Sequence, residues 1–262
     1  MAVVLLLDMD GVLTRDKELN PFPDAADFLT FLRSQGVPFK IVSNNSTRPP
    51  RLIARALKEK GLPVEEDELI SPVAVLPKYL KSRGLKRLFV IGTEQLKSFL
   101  KEEGFEVVDD HRVDAVVVGQ DKTIDFKKVK TATSALYLSK AELVPVNLSR
   151  LVKDSDGLYF PGAGSWAKML AYATGYEKEL PNLGKPELLK LALKELPEGE
   201  AYMVSDDLYT DLKGAKEMGL KTVFMTTGKY PPEELERAGF RPDFVFNSLT
   251  ELKEALRRWL GS

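Results

Sequence analysis

The chain has 262 residues, of which 44% are hydrophobic, and its formal net charge is -1 at pH 7. This balance gives no basic surface for nucleic acid and favours a small ligand, while the absence of cysteine excludes disulfides, thiolate metal sites and a cysteine nucleophile. Because the sequence lacks an apolar run of ~20 residues and an amino-terminal targeting signal, we expect no membrane partner and a cytoplasmic location.

The first predicted element is a strand in the apolar run at residues 3–7, which leads into the sequence DMDG at residues 8–11. Five consecutive aliphatic residues before a turn are typical of a strand buried on both faces of a parallel sheet. Such sheets bind ligands beyond the carboxyl ends of their strands. Because side chains alternate along an extended chain, Asp8 and Asp10 share one side and suit a metal ion. An ordinary turn is the simpler alternative, and a calcium loop of the EF-hand type fails on spacing.

Strand-like and helical patterns alternate along the rest of the chain, which is typical of an α/β fold with parallel strands. Towards the amino terminus we predict a helix at 25–35, a strand at 39–42 and a helix at 51–60. Towards the carboxyl terminus we predict a strand and loop at 201–207, a helix at 210–218, strands at 221–225 and 244–247, and a helix at 249–260. The block between them has predicted strands at 88–91, 115–119, 143–146 and 158–160, and helices near 96 and at 131–137. We therefore predict a discontinuous core domain at 1–74 and 181–262 with an inserted domain at 75–180.

Four predicted strand-end loops carry polar side chains that suit one class of reaction. They hold Asp8 with Asp10, Ser43 with Asn44, the tripeptide Gly184-Lys185-Pro186, and the carboxylates Asp206, Asp207 and Asp211. Carboxylates suit a hard cation, a hydroxyl and amides suit an oxyanion, and a lysine neutralises negative charge, so together they predict a phosphoryl-transfer site. Each has a simpler explanation when taken alone: Lys185 as a loop lysine, and Ser43 and Asp207 as capping residues.

These motifs resemble those of haloacid dehalogenase (HAD) superfamily phosphatases, in the branch related to NagD, 4-nitrophenylphosphatase and pyridoxal-phosphate phosphatase. Residues 8–14 fit D-x-D-G-x-L-T, residues 43–45 fit a Ser or Thr followed by Asn-Asn, and residues 184–186 fit G-K-P. The fourth motif, usually G-D-x-x-x-T-D, matches residues 205–211 except that Ser205 replaces the glycine. The resemblance covers nearly the whole chain and implies a Rossmann-like doubly wound core with a large α/β cap inserted between the second and third motifs.

The resemblance implies an activity and a set of reacting residues. The activity is Mg²⁺-dependent hydrolysis of a small phosphorylated metabolite through an aspartyl-phosphate. Asp8 is the implied nucleophile, and Asp10 would protonate the leaving oxygen and then activate water. Asp8, the backbone carbonyl of Asp10 and Asp206 would hold Mg²⁺, with Asp211 supporting the metal from nearby.

Four other residues are implied to bind the substrate. Ser43, Asn44 and Lys185 would contact the phosphoryl group. Asn147 aligns with a cap strand end where relatives carry an asparagine near the site, so it is a candidate substrate contact, with a structural turn as the alternative. Nucleotides, sugar phosphates, phosphoglycolate, pyridoxal phosphate and nitrophenyl phosphate all remain compatible. Because related proteins often pair through their caps, we expect a homodimer.

Other hypotheses fit parts of the sequence. A phosphotransferase or phosphomutase of the same superfamily would keep every core residue and differ only in the acceptor. A non-catalytic phosphoacceptor module carries its acceptor aspartate on a later strand, whereas here the second core strand ends in Ser43. Residues 162–167 imitate a dinucleotide-binding fingerprint but lie far from the first strand, so we predict a cap loop and a helix start there. The 29% of charged residues, rich in Lys and Glu, is compatible with a heat-adapted source.

Overall fold

The computed structural model describes residues 2–261. Its strands are β1 (Val3–Asp8), β2 (Phe39–Val42), β3 (Leu69–Ile70), β4 (Arg87–Ile91), β5 (Glu106–Val107), β6 (Ala115–Val118), β7 (Glu142–Pro145), β8 (Leu151–Lys153), β9 (Tyr159–Pro161), β10 (Glu200–Ser205), β11 (Lys221–Met225) and β12 (Phe244–Phe246). Its α-helices are α1 (Ala25–Ser34), α2 (Pro50–Glu59), α3 (Pro72–Ser82), α4 (Glu94–Glu102), α5 (Phe126–Leu138), α6 (Ala163–Thr174), α7 (Glu187–Lys194), α8 (Lys213–Glu217) and α9 (Leu249–Gly261).

The chain divides into two compact units. The first contains residues 2–43, 51–70 and 185–261 of the described chain, and the second contains residues 44–50 and 71–184. The predicted inserted domain, at 75–180, lies within the longer segment of the second unit. Within the described residues, no helix is both long enough and apolar enough to cross a membrane.

The first unit is built on a six-stranded parallel sheet with the order β12-β11-β10-β1-β2-β3. The chain adds β2 and β3 on one side of β1 and returns to add β10, β11 and β12 on the other, so the strand order reverses between β1 and β10. This is the doubly wound arrangement predicted from the alternating pattern. The crevice beyond the carboxyl ends of the strands at such a reversal is where these sheets bind ligands.

Hydrophobic packing fixes the position of β1 at the centre of this sheet. All six of its residues are buried, as the unbroken apolar run predicts. Helix α1 contributes Phe28, Leu29 and Leu32 to the same core, and the chain leaves the helix at Gly36, whose φ of +63° favours glycine. The loops at the carboxyl end of β1 therefore start from a rigid strand.

The second unit contains a four-stranded parallel sheet with the order β5-β4-β6-β7 and an antiparallel hairpin of β8 and β9. Strand β6 sends alternate side chains into two hydrophobic clusters, with Val117 in one and Val116 in the other. Helices α3 and α4 supply the first cluster and α5 and α6 the second. The sheet therefore lies between two helical layers.

The structure confirms most predicted elements and corrects others. Strands at 39–42 and 221–225 match to the residue, and α6 starts where the cap loop and helix were predicted, after Gly162. The helix predicted at 210–218 begins instead as a π-helical turn at Leu208–Leu212 and continues as α8. Helices α3 and α7 were not predicted, because prolines at residues 72, 77 and 186 break the helical pattern of their sequences.

Candidate active site

The sheet register brings several predicted residues to one edge of the first unit. Asp8, at the end of β1, is level with Val42, the last residue of β2, so Ser43 comes directly after that strand. Leu7 is level with Val204 of β10, which leads into Ser205 and Asp206. Parallel strands end at the same edge of a sheet, so the register alone gathers carboxylates and hydroxyls from three strands there.

Lys185 joins two of the predicted carboxylates. Its Nζ lies 2.7 Å from Asp8 Oδ1 and 2.7 Å from Asp211 Oδ2, and all three side chains are buried. Burial alone would lower the pKa of Lys185, but the negative charges of Asp211 and Asp8 outweigh it and raise that pKa. Lys185 is therefore a fixed positive charge beside Asp8, and its interpretation as an ordinary loop lysine is wrong.

Ser205 contacts the same two carboxylates. Its Oγ lies 2.8 Å from Asp211 Oδ2 and 3.2 Å from Asp8 Oδ2, and it accepts a hydrogen bond from the backbone N–H of Asp207 at 3.0 Å. The sequence analysis recorded Ser205 only as a departure from the usual glycine. The sequence feature that could have indicated its role is a hydroxyl at a predicted strand end, directly before Asp206 and Asp207.

Asp8, Asp206 and Asp211 form a charged cluster with Ser205 and Lys185, so three carboxylates share one lysine. Burial is the main cause that raises the pKa of Asp8 to about 7, and it also raises the pKa of Asp211 to about 6. The pKa of Asp206 is likewise raised, chiefly by burial. The negative charge of Asp206 contributes to the raised pKa of Asp8, whereas a side-chain hydrogen bond with Asp8 acts to lower the pKa of Asp206, so the two carboxyl groups are close neighbours.

Asp10 has a different environment from Asp8, although only one residue separates them. Its Oδ2 lies 2.7 Å from Lys17 Nζ, its Oδ1 accepts a hydrogen bond from Thr14 Oγ1 at 3.3 Å, and its side chain is 39% exposed. One carboxylate is thus buried against a fixed lysine and the other reaches solvent. Such a difference in environment suits two carboxylates with different chemical tasks.

Two glycines enclose the carboxylate of Asp206. A Cβ on Gly11 would lie 2.2 Å from Asp206 Oδ2, and one on Gly228 would lie 2.0 Å from it. The backbone N–H of Lys229 donates to the same oxygen at 2.7 Å, and Thr227 Oγ1 donates to the Gly11 carbonyl at 2.6 Å. This loop was not predicted; the Thr-Thr-Gly-Lys sequence at residues 226–229, directly after β11 and at the same sheet edge, was the signal.

In the loop after β10, Asp207 and Asp211 have different structural roles. Asp207 accepts hydrogen bonds from the backbone N–H groups of Tyr209 and Thr210, which confirms its interpretation as a cap. The π-helical turn that follows carries Asp211, which is buried and bonded to Lys185. π-Helical turns occur often at functional sites, and this one includes a residue of the buried cluster.

Asn44 and Asn147 are neighbours in the second unit. Asn147 Nδ2 donates to the backbone carbonyl of Asn44 at 2.8 Å, and its Oδ1 accepts from the backbone N–H of Ser149 at 3.1 Å. A Cβ on Gly184 would come within 2.8 Å of Asn44 Oδ1, so the glycine of the G-K-P motif leaves room for this asparagine. The role of Asn147 as a substrate contact stays a prediction.

The chain matches known sequence families and proteins over most of its length. A family model described as haloacid dehalogenase-like hydrolase matches residues 5–106, and one described as HAD-hydrolase-like matches residues 182–252. A dihydroxyacetone phosphatase of Corynebacterium glutamicum is 30% identical over 252 residues, which are 95% of this chain and 90% of that protein. The solved structure of a 4-nitrophenylphosphatase from Thermotoga maritima is 31% identical, with 97% of both chains covered and a TM-score of 0.84. A p-nitrophenyl phosphatase from Archaeoglobus fulgidus is 31% identical, with 96% of this chain and 98% of that chain covered and a TM-score of 0.83.

The chain belongs to the haloacid dehalogenase-like hydrolases. The similar proteins are named phosphatases, and this HAD-like hydrolase is a phosphatase as well. The family and the fold class predicted from the four motifs are confirmed.

The residues of this hydrolase fit a divalent cation at Asp8 and Asp206. Both carboxylates are buried, and their mutual repulsion is the kind that a cation between them relieves. No group of three or more His, Cys, Asp or Glu side chains within residues 2–261 is arranged to hold a metal. The predicted set needs only two side chains, because the third protein ligand in that prediction is the backbone carbonyl of Asp10.

Proposed function

We propose that this phosphatase hydrolyses phosphomonoesters of small metabolites, with Mg²⁺ as cofactor and Asp8 as a nucleophile that forms an aspartyl-phosphate. The observation that supports this most strongly is the buried lysine between two carboxylates, with Nζ 2.7 Å from each. A lysine held in this way fixes the orientation of Asp8 and provides positive charge for the approach of a phosphate dianion.

In the first step, an Asp8 oxygen attacks phosphorus and the ester P–O bond breaks. The leaving oxygen takes its proton from the carboxyl group of Asp10, which is then a carboxylate. The phosphoryl group is now bonded to Asp8. This covalent intermediate divides one slow hydrolysis into two easier displacements.

In the second step, Asp10 takes a proton from water and the water oxygen attacks phosphorus. The bond between phosphorus and the Asp8 oxygen breaks, which releases inorganic phosphate and restores the Asp8 carboxylate. Asp10 is protonated again for the next ester. The Asp10 side chain is 39% exposed, against 10% for Asp8, so it has the readier access to solvent water.

The remaining residues orient the group that is transferred. Ser43 and the adjacent Asn44 contact the phosphoryl oxygens, and Lys185 balances their charge. Asp8, the Asp10 carbonyl and Asp206 would hold Mg²⁺, which would supply positive charge to balance that of the phosphate oxygens. Asp211 supports the site through Lys185, to which it is bonded.

For the substrate class, we favour small phosphorylated sugars and related polyol or triose phosphates. The support is that the Corynebacterium relative, which matches almost end to end, is named for dihydroxyacetone phosphate. Nitrophenyl phosphate, for which two similar structures are named, serves as a general test ester.

The test is phosphate release from a panel of phosphomonoesters by the purified protein. We expect release with Mg²⁺, none with EDTA, and none from the Asp8→Asn variant, whereas Asp109→Asn, at an exposed site in the second unit, keeps full activity. Calcium is expected to replace Mg²⁺ poorly, because its larger and more flexible shell can engage both oxygens of the nucleophile. Activity that survives Asp8→Asn, or transfer of the phosphoryl group to another metabolite instead of water, contradicts the proposal.

A further inference from the structure

Ser205 is a buried hydroxyl in the centre of the charged cluster. It ends β10, has no exposed surface, and lies between Asp211 and Asp8 with Oγ distances of 2.8 and 3.2 Å to their Oδ2 atoms. The backbone N–H of Asp207 donates to the same Oγ at 3.0 Å. The motif that the loop otherwise matches has glycine here and therefore lacks any side-chain contact of this kind.

A count of hydrogens shows how this hydroxyl is shared. A serine has one O–H hydrogen and two acceptor lone pairs, and one lone pair is used by Asp207. The hydrogen can point to only one carboxylate at a time. The 2.8 Å distance to Asp211 is typical of an O–H to O bond, whereas the 3.2 Å distance to Asp8 is longer than usual. The hydroxyl is thus anchored on Asp211 and stays within reach of Asp8.

The two oxygens of Asp8 are held from different sides. Lys185 and the backbone N–H of Met9 both donate to Oδ1, and Ser205 faces Oδ2. Lys185 and Ser205 in turn share the same atom of Asp211, its Oδ2. Asp211 thereby holds both Lys185 and Ser205 in place beside Asp8.

We propose that Ser205 is a positioning residue that holds Asp211 by a hydrogen bond and, through Asp211 and Lys185, sets the orientation of the Asp8 carboxylate for attack on phosphorus. This inference rests on the proposed role of Asp8 as nucleophile. Attack requires one oxygen of Asp8 aligned with the ester bond, and small errors in such alignment slow the chemical step more than they weaken binding. The hydroxyl therefore acts on kcat rather than on KM.

The chain offers a matched control for a purely structural role. Thr222, in β11, is also without exposed surface, and its hydroxyl also bonds a carboxylate, Asp243 Oδ2, at 3.0 Å. It belongs to the same sheet but not to the charged cluster. Thr222→Val removes a buried hydroxyl of the same kind while nearly keeping the shape of the side chain, so it reports the general cost of such a loss.

The experiment compares kcat and KM for Ser205→Ala, Ser205→Gly and Thr222→Val, with thermal unfolding as a check on folding. Loss of a hydrogen bond to a charged group predicts a fall in kcat of about tenfold or more for both Ser205 variants, with KM within about twofold. Thr222→Val is expected to lower stability and to keep kcat. If Ser205→Ala disturbs folding, Ser205→Gly still tests the loss of the hydroxyl, because the related motif has glycine at this position.

The experiment distinguishes a failure of the inference about Ser205 from a failure of the proposed function. An active wild-type protein whose Ser205 variants keep their kcat, or lose no more of it than Thr222→Val does, overturns this inference alone. A wild-type protein that releases no phosphate from any ester contradicts the proposed function, and this inference with it.

Discussion

Removal of the charge from the proposed nucleophile is expected to stabilise the protein. Asp8 is buried in a cluster that contains Asp206, Asp211 and one lysine, Lys185, so the negative charges are in excess. In Asp8→Asn the amide has nearly the same shape, its oxygen can accept from Lys185, and its NH₂ can donate to the neighbouring carboxylate. Asp211 still pairs with the lysine at 2.7 Å.

The magnitude follows from the pKa of Asp8, which burial raises from 3.8 to about 7. Each unit corresponds to about 1.4 kcal/mol, so an ionised Asp8 lowers the free energy of unfolding by up to about 4 kcal/mol. The folded state binds more protons than the unfolded state between these two pKa values, so this destabilisation is absent below about pH 4, grows with pH and is complete above about pH 7. The amide of the Asp8→Asn variant does not titrate and has no such dependence. The variant should exceed the wild type by about 2 kcal/mol at pH 5 and about 4 kcal/mol at pH 8.

The assay is urea unfolding of both proteins in EDTA at these two pH values, with Asp109→Asn as the exposed control. A saturating concentration of Mg²⁺ should then stabilise the wild type more than Asp8→Asn, because ligands stabilise the state that binds them. A variant that is no more stable than the wild type at pH 8, or whose advantage is the same at both pH values, refutes the electrostatic reasoning.

Three further predictions concern the metal and the acid. Gly228→Ala puts a Cβ 2.0 Å from Asp206 Oδ2, so Mg²⁺ titrations of activity should show about a tenfold weaker affinity for the metal. The control Gly261→Ala, at an open position, should keep the wild-type affinity. Equal Mg²⁺ affinities of the two variants would contradict a role of Gly228 at the metal site. Asp10→Asn should slow the phosphorylation of Asp8 by sugar phosphates about a hundredfold. In rapid-quench measurements of this first step, nitrophenyl phosphate should lose much less, because nitrophenolate leaves without a proton; equal losses in this step argue against a general acid. Because protons compete with the metal for Asp8, whose pKa is about 7, calorimetry should show Mg²⁺ affinity falling below about pH 7, and a flat profile excludes this competition.

The sheet and its motif residues could be predicted because they depend on local patterns. The apolar run before Asp8 specifies a buried central strand, and the Asp, Gly, Ser and Asn residues at strand ends mark the edge where ligands bind. The strand at 221–225 is recognisable for the same reason. Helix α3 could not be predicted in this way, because Pro77 lies inside it and its stability comes from burying Val73, Leu76 and Leu80.

The network around these residues could not be predicted from sequence, because it joins distant segments. Ser205 meets Asp8 across 197 positions of the chain, and the contact depends on the register of β1 and β10. The close approach of Gly11 and Gly228 to Asp206 likewise arises only when three loops meet at one edge. Sequence motifs identify the reacting groups, whereas the fold determines which groups hold them in place.

If Asp8 is the nucleophile, a phosphoryl group must become covalently bonded to it during turnover. The protein would be mixed with a fast ester and Mg²⁺, quenched in acid within the first turnover, and digested for mass spectrometry of the peptide that contains Asp8. We expect this peptide to gain the mass of one phosphoryl group, and the label to form and decay at least as fast as turnover. Phosphate release without such a phosphoprotein, or a label on another residue, contradicts Asp8 as the nucleophile.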